Sequence, residues 1–304
     1  MRFPAAVAAA FVLAALPAPA QAAGCVWTAA GLPSHPNVEH ERVTGMSPDG
    51  TITVGDATNI DYGVLNGVLW FGTTPVGMAD PNRGPGVDNS PWGVNNAGVV
   101  VGYTYDNNTG VTSSYRYHSQ DGTYEWLQVP SGNGAAGFVN ERGDVAGWID
   151  DGGESRTVVW RAGSVQPVVI GRGRPAGLDE EGRVVTTEGE IWSPDAKTVR
   201  IRDRRGAHPQ HYAHGHAVGV NSNGEIVEWG LRGNITRVIP GAAAVEAVNA
   251  RGVIAGLHVD GARRSWAIWT GGEPQDVDGY VVGITDSGVA YGQRGWDAVV
   301  YRCS

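Results

Sequence analysis

The sequence predicts an all-β protein whose one domain is a ring of seven four-stranded blades, a β-propeller. Three observations lead there. Glycine supplies 46 of the 304 residues with no collagen triplet. One short turn phrase recurs seven times. An aromatic residue follows each copy at the end of an apolar run. Hydrophobic residues at 41% exclude a disordered chain, and a formal net charge of -9 argues against a nucleic-acid partner.

In chain order, residues 1–22 come first. They carry Arg2, an apolar stretch from Ala5 to Leu16, and Ala20-Gln21-Ala22, the charge, core and cleavage order of a secretory signal peptide. The mature domain is then residues 23–304, a secreted protein with no other apolar run long enough to span a membrane. The two cysteines, Cys25 and Cys303, stand at its two ends. In an oxidising compartment they read as a disulfide that ties the termini together. Ala22-Ala23-Gly24-Cys25 also resembles a lipobox, which would make the protein lipid-anchored through Cys25, although Val26-Trp27 follows as strand instead of a polar tether.

The turn phrase is an Asn, Asp, Ser or Thr, two variable residues, then Gly: Ser47–Gly50, Asn95–Gly98, Asn140–Gly143, Asp179–Gly182, Asn221–Gly224, Asn249–Gly252 and Thr285–Gly288. The first residue can bond the backbone ahead of it, and the Gly accepts a left-handed backbone. A Gly stands two residues before the phrase at positions 45, 93, 177, 219 and 283, where close backbones need a missing side chain. The aromatic landmarks are Trp70, Tyr117, Trp160, Trp192, Trp229, Trp269 and Tyr301. A further strand follows each, which makes four per unit. The turn glycines recur at intervals of 48, 45, 39, 42, 28 and 36 residues, the period of a propeller blade. The last unit stops after three strands, so Cys25-Val26-Trp27-Thr28 supplies its fourth and closes the ring. The fifth unit is irregular: Trp229 follows Gly224 by only five residues. This points to a fused or lost strand, with a six-bladed ring or an open β-solenoid as alternatives.

The turn halves Asn95-Asn96-Ala97-Gly98-Val99-Val100-Val101-Gly102 and Asn249-Ala250-Arg251-Gly252-Val253-Ile254-Ala255-Gly256 stand beside strand halves such as Thr157-Val158-Val159-Trp160 and Trp266-Ala267-Ile268-Trp269. In these the chain resembles the extracellular HAF-repeat family across residues 42–303, without a literal His-Ala-Phe triad. The resemblance implies a secreted propeller-like protein and names no active site.

Ligands of propellers commonly bind at the channel mouth where the inner strands begin. Five residues before each turn stand Arg42, Ser90, Ala135, Arg174, His216, Ala244 and Tyr280. Arg42, Arg174, His216 and Tyr280 would suit an anionic or hydroxylated ligand, or they are solvated rim residues. Glu246 is the acid expected in the channel. His208, His211, His214 and His216 fall within nine residues and could gather Zn or Cu, or form a polar loop. Asp80–Asn89 faintly resembles a calcium loop but lacks the terminal Glu. Trp92, Trp126, Trp148 and Trp296 lie outside the landmarks and could stack on sugars. No Gly-x-Ser-x-Gly is present, and the paired carboxylates sit in turn tips. The expected function is a monomeric, non-enzymatic binding protein for an extracellular glycan, cell-wall component or protein. The alternative is a hydrolase or lyase acting on a polymer at the mouth, either unaided or with metal held by the His loop.

Overall fold

The computed structural model describes residues 26–36, 38–61, 63–78, 86–130, 132–201 and 206–304. These form seven four-stranded antiparallel sheets, a seven-bladed β-propeller. From the channel outward, blade 1 is Val38–Met46, Ile52–Asn59, Leu65–Phe71 and Thr74–Gly77. Blade 2 is Val87–Val94, Val99–Asp106, Thr112–His118 and Thr123–Trp126. Blade 3 is Gly134–Val139, Val145–Asp151, Glu154–Trp160 and Pro167–Arg172. Blade 4 is Pro175–Leu178, Val184–Thr186, Glu190–Ser193 and Ala196–Arg200. Blade 5 is His211–Ala213, His216–Val220, Glu225–Trp229 and Ile235–Pro240. Blade 6 is Ala242–Val248, Ile254–Asp260, Arg263–Trp269 and Pro274–Val277.

Blade 7 takes Tyr280–Ile284, Ala290–Arg294 and Asp297–Cys303 from the end of the chain and its outermost strand, Trp27–Gly31, from the beginning. Trp27 pairs with Cys303 and Gly31 with Val299, and Val26 and Ser304 exchange backbone hydrogen bonds at 3.1 and 3.2 Å. The ring therefore closes as the sequence implies. Cys25 and residues 1–22, which carry the expected disulfide and export signal, lie outside the described residues.

Every aromatic landmark lies on the third strand of its blade. Trp70, Trp160, Trp229 and Trp269 are fully buried there, between sheets where apolar area leaves water. The indoles of Trp70 and Trp160 also donate to the carbonyls of Pro33 and Gln128, which fixes the chain leading into the inner strand. Opposite the ring, the second strand carries a glycine. A Cβ on Gly55 would lie 1.9 Å from the Arg42 carbonyl, and one on Gly102 2.3 Å from the Ser90 carbonyl. The second Gly of the turn half is thus a steric requirement.

The turn phrase has a second role that only the ring reveals. The buried Asn95 accepts the Val99 N–H within its own turn, and its amide donates to the Asn140 carbonyl of the next blade at 3.0 Å. Asn140 repeats this toward Asp179, and Asn249 toward Thr285. The next turn residue extends the chain of contacts: Asp49 N–H donates to Asn96 Oδ1, Asn96 N–H to Glu141, and Glu141 N–H to Glu180. Asn95, Asn140 and Asn249 are therefore each both a turn cap and a peg between blades.

The fifth blade corrects the sequence reading. It has four strands and is neither fused nor short of one. Its inner strand is His211–Ala213, and a two-residue turn follows with positive φ at His214 (42°) and Gly215 (96°). That is the geometry of a type I′ hairpin. Asn221–Gly224 joins the second strand to the third, one hairpin later than in the other blades, so Trp229 follows it closely. Asn221 correspondingly bonds only within its turn and to Glu225. The neighbouring blade adapts: with no turn carbonyl beside it, the blade 4 turn begins with Asp179, whose carboxylate accepts from Tyr212 Oη and from Arg183 Nε.

Candidate functional site at the channel mouth

Inner strands carry a β-bulge in blades 1, 2, 3, 4, 6 and 7, with the extra residue at Thr44, Trp92, Gly137, Ala176, Glu246 and Val282. A bulge leaves one residue out of the ladder and re-aims it. All six line the central channel, joined by His211 and Tyr212 from the short inner strand of blade 5. The channel holds about 650 Å³, within the range that buries a small ligand.

At the face where the inner strands begin, Arg42, Tyr103, Tyr280 and Gln293 line the mouth. Arg42 does not offer its fork to a ligand. Its Nε and one terminal nitrogen each lie 2.8 Å from an oxygen of the fully buried Asp56, and Ser90 Oγ donates to the same carboxylate at 2.6 Å. The hydrogen bond to Asp56 raises the Arg42 pKa. Both Asp56 oxygens are thereby taken up in holding Arg42 and Ser90.

A groove of about 330 Å³ runs from the mouth over blades 2 to 4, lined by Asp88, Trp92, Tyr103, Tyr105, Trp148 and Arg174 among others. Arg174 is exposed, and its guanidinium carbon lies over the Trp148 ring, 4.3 Å from the centroid. Trp92 is 41% exposed and packs edge-on against Tyr103 at 5.5 Å. Burial raises the Tyr103 pKa. On the far wall Tyr280 packs on Trp266 at 4.5 Å and donates to Glu246 Oε2 at 3.2 Å. Burial raises the Glu246 carboxyl, while burial and the nearby Glu246 charge push Tyr280 up to about 12.

The structure brings Arg42, Arg174 and Tyr280 to one face, as the sequence suggests, and places Glu246 in the channel. His216 stands elsewhere. It opens the second strand of blade 5 beside the Gly252 turn, at the opposite face, where Nδ1 lies 2.8 Å from Glu228 and Arg237 braces the same carboxylate. The blade 5 counterpart of Arg42 is His208, whose carbonyl faces Gly219 as that of Arg42 faces Gly55.

The four histidines of the loop do not converge, because the inner strand of blade 5 runs the depth of the channel between them. His208 precedes that strand and is exposed. His211 faces the channel, hydrogen-bonded to the Val245 backbone, and burial lowers its pKa to about 4. His214 reaches Asp286 at the far rim, 3.2 Å away, a contact that raises its pKa. Among the described residues no group of three or more His, Cys, Asp or Glu could hold a metal ion.

Of the proposed calcium loop, residues 80–85 lie outside the described residues. Asp88 accepts from Leu65 N–H and Asn107, and Asn89 bonds Tyr115 and Tyr124. Trp126 is packed against Tyr115 and Tyr124 in the core, whereas Trp296 is 71% exposed against His40. Tyr103 and Tyr105 were not singled out in the sequence. Their alternation along the second strand of blade 2, Val99–Asp106, was the available signal.

The chain is thus a seven-bladed β-propeller with an aromatic groove at one mouth of its channel. No protein-family model matches the sequence, and a search of curated proteins finds no match. Solved structures do resemble it. The WD40 repeats of RRP9 align with a TM-score of 0.58 at 13% identity, covering 91% of this chain and 97% of that one. The β-propeller domain of the Trilobed protease from Pyrococcus furiosus gives 0.59 at 8%, over 86% and 97%. An oligogalacturonate lyase in complex with manganese gives 0.59 at 11%, over 91% and 90%. At these identities the likeness is one of fold. Among the described residues, no helix is long and apolar enough to cross a membrane.

Proposed function

We propose that the protein is a secreted, monomeric binding protein of the HAF-repeat kind that takes an extracellular glycan at the channel mouth, its ring clasped by Cys25–Cys303. The observation that carries this reading is the groove of Trp92, Tyr103, Tyr105 and Trp148 continuing into the channel. Flat aromatic faces stack on the apolar faces of sugar rings, and tyrosine hydroxyls and Arg174 reach sugar hydroxyls. Export rests on the leader-like residues 1–22, and the clasp on the two cysteines at the chain ends.

The test is calorimetric titration with soluble cello-, chito- and galacturonic oligosaccharides, with tryptophan fluorescence as a second readout. Saturable binding to one series is expected, weakened at least about tenfold by Trp148→Ala with the circular dichroism unchanged. Equal affinity in that variant would overturn the reading. The other reading, cleavage at the mouth, is favoured by the raised Glu246 carboxyl beside Tyr280. Release of new reducing ends or of an unsaturated product, lost in Glu246→Gln, would replace binding by catalysis.

A further inference from the structure

Among the described residues, every carboxylate lining the channel but one has a cationic group beside it: Glu180 has His214 and Arg142, and Asp286 has His214 and Arg251. Arg42 is held by Asp56. His214 is paired with Asp286 at the far rim. Glu180 accepts the Glu141 N–H. His211 is bonded to the Val245 backbone. Glu246 is different: it projects from a bulge into the lumen, partly buried. Its hydrogen bond among the described residues comes from the neutral Tyr280 hydroxyl at 3.2 Å, long for an O–H donor to a carboxylate. Among the described residues no lysine lines the channel, and the one arginine that does is already paired.

A carboxylate drawn out of water without a cation is costly, and an incoming cation that supplies charge-assisted hydrogen bonds removes much of that cost. The walls suit such a visitor. The Tyr280 ring adjoins the acid, and Trp92, on the opposite side of the ring of blades, also lines the lumen. Aromatic faces attract ammonium groups.

We propose that the channel contains a subsite for a protonated primary amine, with Glu246 as its carboxylate and Tyr280 and Trp92 as its aromatic walls, and that the glycan bound at the mouth is an amino-sugar chain bearing free amines. The identity of the carrier rests on the glycan reading above; the amine site itself does not. Burial keeps the Glu246 carboxyl above its ordinary range in the unliganded channel, and an ammonium beside it would draw the proton off.

The experiment is calorimetry with a β-1,4-linked glucosamine hexamer, the same hexamer fully N-acetylated, and spermidine, on the wild type, Glu246→Gln and Glu273→Gln. Glu273 is an exposed acid of blade 6, so its variant controls for loss of charge. The wild type should bind the free-amine hexamer at least about tenfold tighter than the acetylated one. Glu246→Gln should erase that preference and Glu273→Gln should keep it. If Glu246→Gln fails to fold, the wild type alone decides: butylamine should displace the hexamer and butanol should not.

Acetylated hexamer bound as tightly as the free amine, or a preference that survives Glu246→Gln, would overturn the amine site and leave the glycan reading standing. Spermidine bound in a Glu246-dependent way with neither hexamer bound would sustain the amine site and sink the carrier. Binding of no probe would overturn both.

Discussion

Two asparagines in this chain open the same sequence phrase and carry different loads. Asn140 is 2% exposed, accepts the Asp144 N–H at 2.9 Å and donates to the Asp179 carbonyl of the next blade at 3.0 Å. Asn221 accepts from Asn223 and Glu225 N–H and donates to the Glu225 side chain, all within its own turn. Asn140→Ala removes two hydrogen bonds at about 1 kcal/mol each and leaves the buried Asp144 N–H without its acceptor, a further ~1–2 kcal/mol. The total is about 3–4 kcal/mol. Asn221→Ala frees groups that water can reach and should cost about 1 kcal/mol, as the loss of a turn or helix cap does. Guanidinium unfolding followed by tryptophan fluorescence checks this, with the two midpoints compared at unchanged slope. In a thermal scan, Asn140→Ala should melt about 6–12 °C lower than the wild type. An Asn221→Ala variant as unstable as Asn140→Ala, or more so, would refute the claim that the phrase pegs one blade to the next.

Acid should act through His211, whose pKa falls from 6.5 to about 4 in the folded state. Its stabilising contribution is full above pH 6.5 and is lost as pH falls toward 4, on the order of 3 kcal/mol, so unfolding midpoints of His211→Asn should show a shallower decline than the wild type over that window. His214 has the opposite sign: its pKa is raised by Asp286, so its contribution is full below pH 6.5 and fades as pH rises through the folded value. His214→Gln should flatten the alkaline side of the profile and, because His214 also lowers the Asp286 pKa, make the acid decline shallower as well. For the clasp, the intact mass should rise by the two hydrogens of a reduced disulfide, and reduction should lower stability by at most about 5 kcal/mol, the chain-entropy limit for so long a loop. Two free thiols in the protein recovered from the culture medium would refute the pairing.

Local chemistry was legible in the sequence because it is local. An Asn or Ser followed by a left-handed Gly makes the same turn wherever it stands, and all seven turn glycines have positive φ, from 69° to 86°. The third-strand aromatics and the fourth strand of blade 7 were equally readable, since a ring must bury one face of every sheet and leave no open edge. For the same reason the sequence could not say which hairpin Asn221 belongs to, and His216 was placed at the mouth in the position that His208 occupies. The tertiary structure alone decided what lies across the channel: that bulges aim Trp92 and Glu246 inward, that Asp56 absorbs Arg42, and that the inner strand of blade 5 separates four histidines adjacent in the chain. Those outcomes depend on register and on the approach of neighbouring sheets, which couple residues tens of positions apart and leave no periodic trace in the sequence.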